Sequence, residues 1–136
     1  MGNSNTINKI NFKDMQIAIK NKYIIINTLD SNNQDCLIEN TLSINDEIQL
    51  LNNKNLNKTM NIIIYGMNSI DESIIVKYNQ LISLGFKNIY IYTGGLFEWL
   101  LLQDIYSNEY FKTSNNELDI LKYKGREKID ILMIEH

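Results

Sequence analysis

Two short, almost purely apolar runs, separated by a segment with helical spacing, constrain the fold of this chain most strongly. The runs are Asn61–Tyr65 and Asn88–Tyr92, and both are rich in isoleucine and tyrosine. Continuous apolar runs of this length, enriched in β-branched and aromatic residues, are typical of strands buried on both faces of a sheet. Two such strands joined by one helix form a right-handed parallel crossover. The sequence therefore predicts an α/β fold, an open and mostly parallel sheet of about five strands with helices on both faces.

The segment between these strands carries signals for a loop and then a helix. Ser69–Glu72 has the S-x-x-E spacing of a capping box, in which the serine accepts from the glutamate amide. Gly85 follows the last apolar residue and is predicted to end the helix in a left-handed conformation. The helical face is predicted to consist of Ile74, Ile75, Tyr78, Leu81 and Ile82.

Four further elements are predicted in the first half of the chain. Asn11 caps a helix that runs to Lys20, and Tyr23–Thr28 is a buried strand. Leu37–Ile44 is predicted as a short edge strand, and Asn45 as the cap of a helix that ends near Asn52.

An apolar helix is predicted after the last strand. From Leu96 to Tyr106, apolar side chains lie on almost every face of the predicted helix. Every side of this helix must therefore pack against other parts of the protein. The segment Tyr110–Tyr123 is the predicted cover. Its second half is predicted to be a helix that starts at a capping box, Ser114–Glu117. That helix would carry Leu118, Leu121 and Tyr123.

Composition narrows the class of protein. The 136 residues suit one domain, and a hydrophobic content of 44% excludes a disordered chain. A net charge of −3 gives no general affinity for nucleic acid. The one cysteine, Cys36, cannot form an intramolecular disulfide, which fits a reducing compartment, and no apolar run is long enough to span a bilayer. We therefore expect a cytoplasmic protein that binds no nucleic acid.

The stretch from Ile62 to Trp99 resembles the rhodanese homology domain. The likeness rests on the order strand, loop, helix, strand and on Gly94-Gly95-x-x-x-Trp99 after the second strand. In that family the first loop opens with a cysteine that accepts sulfur, or that attacks phosphate in related cell-cycle phosphatases. The resemblance implies a rhodanese-like sheet and places the cysteine position at Gly66.

The same resemblance places an anion-binding arginine at Asp71, or at Glu72 if the loop is one residue longer. This chain therefore has no nucleophile and no cation where the family has them, and the family chemistry is predicted to be lost. The acidic pair is adjacent and has no histidine nearby, so no metal site is predicted. Gly94-Gly95 is too short for a dinucleotide fingerprint, and no cofactor is predicted. The degenerate loop comprises Gly66, Met67, Asn68, Ser69, Ile70, Asp71, Glu72 and Ser73.

Two alternative readings keep a chemical or sensing role open. The first is a sulfurtransferase or phosphatase-like enzyme with a non-standard nucleophile, which would be Cys36, although a lone cysteine is more often a small buried hydrophobe. Ser69 is a weaker nucleophile candidate, because its hydroxyl is expected to serve as the helix cap. The second is a loop that senses a small ligand without turnover.

The N-terminus matches a lipidation pattern. Met1–Thr6 fits M-G-x-x-x-[ST], in which Gly2 would receive a myristoyl chain. One such chain gives weak and reversible membrane association, so peripheral attachment is expected. The predicted organisation is a flexible arm at 1–8, a rhodanese-like domain at 9–123 and a C-terminal extension at 124–136. The predicted function is a non-catalytic protein-binding module, with a protein partner or a homo-oligomer as its assembly.

Overall fold

A four-stranded sheet, parallel throughout, forms the centre of the protein. The computed structural model describes residues 7–129, and the strands lie in the order β1-β4-β3-β2. The strands are β1 Asn8–Ile10, β2 Ile24–Asn27, β3 Asn61–Tyr65 and β4 Asn88–Tyr92. The helices are α1 Phe12–Lys20, α2 Ile44–Leu51, α3 Ser73–Ser83 and α4 Gly95–Ile105, with 3₁₀ turns at Ser31–Asn33 and Ile120–Tyr123.

The parallel pairing predicted for the two central strands is confirmed. In register, Ile62 of β3 lies beside Ile89 of β4 on one side and beside Ile24 of β2 on the other. Within the described residues the sheet has four strands rather than about five. Its edge strand β1 pairs with β4 and was not predicted from the sequence. Asn8, the last residue of the predicted flexible arm, is the first residue of β1.

Each face of the sheet is covered by two helices, as predicted. Because neighbouring strand residues point to opposite faces, Ile63 and Tyr65 belong to one core and Ile62 and Ile64 to the other. The first core contains buried residues of α1 and α4, including Trp99. The second contains buried residues of α3 and the partly buried end of α2. The cores are thus separated by the sheet, whose central strands are apolar on both sides.

The helix signals of the first half are confirmed at α1 and corrected at α2. Asn11 and Asp14 form a capping box at the start of α1. The cap of α2 is Ser43, whose hydroxyl accepts from the Asp46 amide at 3.1 Å, and not Asn45. Serine is as good a cap as asparagine, and with Ser43 as the cap the helix begins at Ile44.

The predicted edge strand at 37–44 is wrong. Only isolated bridges form there: Ile38 opposite Thr113, antiparallel, and Thr41 beside Ile25, parallel. The Leu42 amide also donates to the Ile25 carbonyl at 2.9 Å. The segment crosses the open edge of β2 at one point because Asn40 has a positive φ of 68°, which interrupts extended pairing.

The predicted final helix from Ser114 is also wrong. The Ser114 hydroxyl accepts from the Leu37 amide at 3.0 Å and donates to the Asp35 carbonyl at 3.1 Å. Its capping atoms are therefore used across the fold, and the segment stays irregular up to the 3₁₀ turn at Ile120–Tyr123.

The predicted cover of α4 is partly confirmed. Phe111 and Tyr123 are buried, and the Phe111 ring meets the Trp99 ring edge-on at a centroid distance of 5.1 Å. The Trp99 indole donates to the Lys112 carbonyl at 3.0 Å. Leu118, however, is 94% exposed and covers nothing. Among residues 7–129, no helix has the length and apolar character needed to cross a bilayer.

Candidate functional site

The loop between β3 and α3 lies at the carboxyl edge of the sheet, as the sequence predicted. β3 ends at Tyr65 and α3 begins at Ser73, so the seven residues 66–72 connect a buried strand to a helix N-terminus. In parallel α/β sheets this edge is where ligands bind, because helix amides and strand ends converge there. The loop is therefore the candidate site for chemistry in this fold.

The predicted capping box at Ser69–Glu72 does not form. Glu72 occupies the N-cap position without a side-chain hydrogen bond, and Ser69 is exposed in the loop. Asp71 provides the capping carboxylate instead: its Oδ1 accepts from the Ser73 amide at 3.0 Å. Aspartate is as good a capping residue as serine, and Asp71 lies closer to the helix start.

The Asp71 carboxylate fills the inside of the loop. Its Oδ2 accepts from the Met67 amide at 2.9 Å, and its Oδ1 accepts from the Ser73 hydroxyl at 2.7 Å. The Ser73 hydroxyl lies 2.7 Å from the hydroxyl of Thr28, which follows β2. Loop amides and a hydroxyl that could face a bound anion thus bind a carboxylate of the same chain. The resemblance had placed a cation at this position.

Gly66 is packed against that carboxylate. A Cβ atom at position 66 would lie 2.5 Å from Asp71 Oδ2, 2.8 Å from Thr28 Oγ1 and 3.0 Å from a side-chain carbon of Ile74. Distances under 3.0 Å require neighbouring atoms to move. A side chain at position 66 and the inward carboxylate of Asp71 therefore compete for one space.

Gly94 and Gly95 hold the start of α4 against the back of the loop. Gly95 has a φ of +67°, and a Cβ there would lie 2.8 Å from the Gly66 carbonyl oxygen. The Leu96 amide donates to the Gly66 carbonyl at 2.9 Å, and the Phe97 amide donates to the Met67 carbonyl at 2.8 Å. Only glycine permits both the conformation and the approach at position 95. Trp99, the third residue of the motif, is buried core.

Asn68 connects the loop to the C-terminal part of the chain. Its side-chain amide donates to the Tyr123 carbonyl at 2.9 Å, and its Oδ1 accepts from the Ile70 amide at 3.0 Å. The side chain is buried, and Gly125 lies so close to Ile70 that an added Cβ would be 2.6 Å from it. Residues after Tyr123 therefore pass directly over the loop.

A cavity of about 550 Å³ lies between the loop and this crossing segment. We name residues 122–128 the basic strap, because alternate positions in it are basic and all four line the cavity: Lys122, Lys124, Arg126 and Lys128. The loop side contributes Met67, Ile70, Asp71 and Glu72, among others. Sequence reasoning missed this site, although the alternation of basic residues from 122 to 128 was a visible signal.

The remaining groups for which the sequence predicted a chemical role lie away from this cavity or in surroundings that lower their reactivity. Cys36 is buried, and its thiol donates to the Asn115 carbonyl at 3.2 Å. Burial raises the pKa of this thiol above its ordinary value, which lowers its reactivity. Within residues 7–129 no three histidine, cysteine or acidic side chains are grouped as metal ligands. Gly2 lies outside the described residues.

Comparison with known proteins gives one family and a set of similar structures. The model of the rhodanese-like domain family matches residues 12–102. The BH2092 protein from Bacillus halodurans is 22% identical, with a TM-score of 0.60 over 92% of this chain and 89% of that one. The rhodanese-like domain of the Alr3790 protein from Anabaena sp. is 19% identical, with a TM-score of 0.58 over 90% and 89% of the two chains. At these identities the structures establish a shared fold. Among curated proteins, none matches.

Proposed function

The chain belongs to the rhodanese-like domain family, and we propose that within it this protein is a non-catalytic module that acts by binding another protein. One observation carries the proposal: the carboxylate of Asp71 occupies the inside of the loop, on the Met67 and Ser73 amides. The negative charge of this carboxylate repels an anionic substrate that carries sulfur or phosphate. The carboxylate also accepts the hydrogen bonds from the amides that would otherwise bind such an anion.

The nucleophile argument points the same way. Covalent transfer needs an activated nucleophile within reach of the substrate. Gly66 has no side chain, and the thiol of Cys36 is 3% exposed with a raised pKa caused mainly by burial. Ser69 is accessible, but in its neighbourhood the loop supplies carboxylates rather than histidine. With no group placed for transfer, the family fold serves here as a scaffold for recognition.

Turnover assays test the proposal directly. We expect neither thiosulfate:cyanide sulfur transfer nor hydrolysis of p-nitrophenyl phosphate above a boiled control. Gly66→Cys should also be inactive, because the acidic loop raises the thiol pKa and repels anions. Sulfur transfer by the natural chain that disappears in Cys36→Ser would refute the proposal.

Membrane tethering through Gly2 is a separate part of the proposal. The support is the M-G-x-x-x-[ST] pattern at Met1–Thr6, which myristoyl transferases of eukaryotes read. In a eukaryotic host we expect acylated Gly2 and partial membrane association that weakens in Gly2→Ala. Mass spectrometry that finds an unmodified Gly2 in protein from such a host would contradict this part alone.

A further inference from the structure

We propose that the cavity between the loop and the basic strap is the docking site for an extended, acidic segment of a partner protein. The inference rests on the proposed function and adds to it the place of binding and the chemistry of the partner. It comes from the row of cations on the strap, their weak internal pairing and an exposed apolar residue beside them.

The cations form a row and not a cluster. Lys122, Lys124, Arg126 and Lys128 are alternate residues that all line the cavity and are all exposed. Lys122 lies in the 3₁₀ turn Ile120–Tyr123, and residues 124–128 follow it without helix or strand structure. The row therefore spans less than the roughly 20 Å that six residue steps cover in a fully extended chain. An extended peptide with acidic residues at alternate positions carries its carboxylates on one side and can place several of them along this row.

The acidic side chains near this row do not prevent it from binding the carboxylates of a partner. Lys122 pairs with Glu117 at 2.7 Å, and Lys124 pairs with Glu127. The Lys124–Glu127 pair is exposed and the Lys122–Glu117 pair is partly exposed. Ion pairs in contact with water contribute little to stability, so carboxylates of a partner can replace Glu117 and Glu127 at low cost. Within residues 7–129, neither Arg126 nor Lys128 makes an ion pair.

The loop side of the cavity adds acids and an apolar contact. Asp71 and Glu72 both line it, but the carboxylate of Asp71 is turned inward onto loop amides. Ile70 is 52% exposed and lines the cavity beside Met67. A partner segment therefore gains from one apolar side chain placed opposite Ile70, with its acidic residues facing the strap.

A small phosphate-bearing ligand fits these observations less well. Small anions are held by converging amides and cations, and the converging donors of this loop already bind Asp71. The cations are spread along the strap.

A labelled peptide tests the inference on the full-length chain. The probe has about ten residues with glutamate at alternate positions and one central leucine, and binding is followed by fluorescence anisotropy at low salt. We expect saturable binding that weakens at about 150 mM salt. Arg126→Glu with Lys128→Glu should weaken it about tenfold or more. The matched control is Lys54→Glu with Lys87→Glu, two exposed lysines away from the cavity with the same change in charge, which should weaken binding less than about twofold.

Several results of the binding experiments would overturn the docking site, and none of them depends on the turnover assays. Absence of peptide binding, equal weakening by both double variants, or equal binding of the same peptide with lysine for glutamate would overturn the docking site. Preferential binding of inorganic tripolyphosphate over the peptide would overturn it in favour of a small-anion site. None of these results bears on turnover, so sulfur transfer would refute the proposed function independently.

Discussion

The inside of the Gly66–Ser73 loop and the cavity outside it differ in what they offer a ligand. Inside, the Met67 amide, the Ser73 amide and the Ser73 hydroxyl all bind the Asp71 carboxylate. Outside, four exposed cations line about 550 Å³ of open space. The donors inside the loop are all used by the chain itself, whereas outside it Arg126 and Lys128 make no ion pair within residues 7–129. Recognition is therefore expected from side chains above the loop and not from the backbone within it.

The two regions also come from different parts of the chain. The loop lies within the segment 12–102 that matches the family, whereas the basic strap at 122–128 lies beyond it. The Asn68 side chain joins them through the Tyr123 carbonyl. The match to the family therefore includes the closed side of the loop and does not include the strap that lines its open side.

The largest expected effect is at the carboxylate inside the loop. Asp71→Ala removes the acceptor of two amides and one hydroxyl, and we expect a loss of about 2–4 kcal/mol in the free energy of unfolding. Urea denaturation measures it. Glu72→Ala is the matched control, because this neighbouring acid is exposed and makes no cap bond, and it should change stability by less than about 0.5 kcal/mol. Equal losses of stability in Asp71→Ala and Glu72→Ala would show that the hydrogen bonds of the Asp71 carboxylate do not stabilise the loop.

A double-mutant cycle tests whether positions 66 and 71 compete for one space. Gly66→Ala puts a methyl group 2.5 Å from Asp71 Oδ2, and we expect a loss of about 1–3 kcal/mol. In an Asp71→Ala background the carboxylate is absent, so the same substitution should cost less by at least about 1 kcal/mol. Denaturant titrations of the four proteins give the coupling. Additive losses would mean that the contacts to Thr28 and Ile74 dominate.

The connection between the two regions can be cut at Asn68. Asn68→Ala removes its bonds to Tyr123 and Ile70, and we expect a loss of about 1–2 kcal/mol. Trypsin should also cleave the basic strap several-fold faster, since a strap released from the loop opens locally more often at its four basic residues. Asn116→Ala, at an exposed asparagine, is the control and should change neither quantity. Unchanged proteolysis in Asn68→Ala would show that other contacts hold the strap.

The smallest expected effect is on the open side. Arg126→Glu with Lys128→Glu should change the free energy of unfolding by less than about 0.5 kcal/mol, because both side chains are exposed. A melting curve equal to that of the natural chain is the expected result. A marked loss would mean that these cations stabilise the fold, which would weaken the contrast between the closed and open sides.

Pattern alone predicted the parts of the fold that local sequence determines. The isoleucine-rich runs of β3 and β4 and the Asn11 cap gave correct strands and a correct helix start, and Gly85 has the expected positive φ of 98°. β1 was missed because its three residues, of which only Ile10 is partly buried, carry no strand period. It exists because it pairs with β4, which is distant in sequence.

The sequence predicted where the loop lies in the fold, but not which side chain fills its inside. The order of elements placed Gly66 and Asp71 correctly in the loop, yet nothing local indicates that the Asp71 carboxylate turns inward. Its donors lie two and four residues away, at Ser73 and Met67, and the Ser73 hydroxyl in turn contacts Thr28 from another strand end. The final helix was predicted wrongly for a different reason, since Ser114 bonds to a segment far away in sequence. There a long-range partner overrode a good local signal.

The Thr41 bridge beside β2 also bears on how the chain avoids associating with itself. β2 is an edge strand with three consecutive isoleucines, Ile24 to Ile26, and it carries no charge. Such a strand is a template for cross-β pairing with other copies. The Leu42 amide donates a hydrogen bond to the Ile25 carbonyl, which is one of the acceptors that a strand from another copy would need for pairing. One crossing segment, too short to count as a strand, thus blocks the most aggregation-prone edge of the sheet.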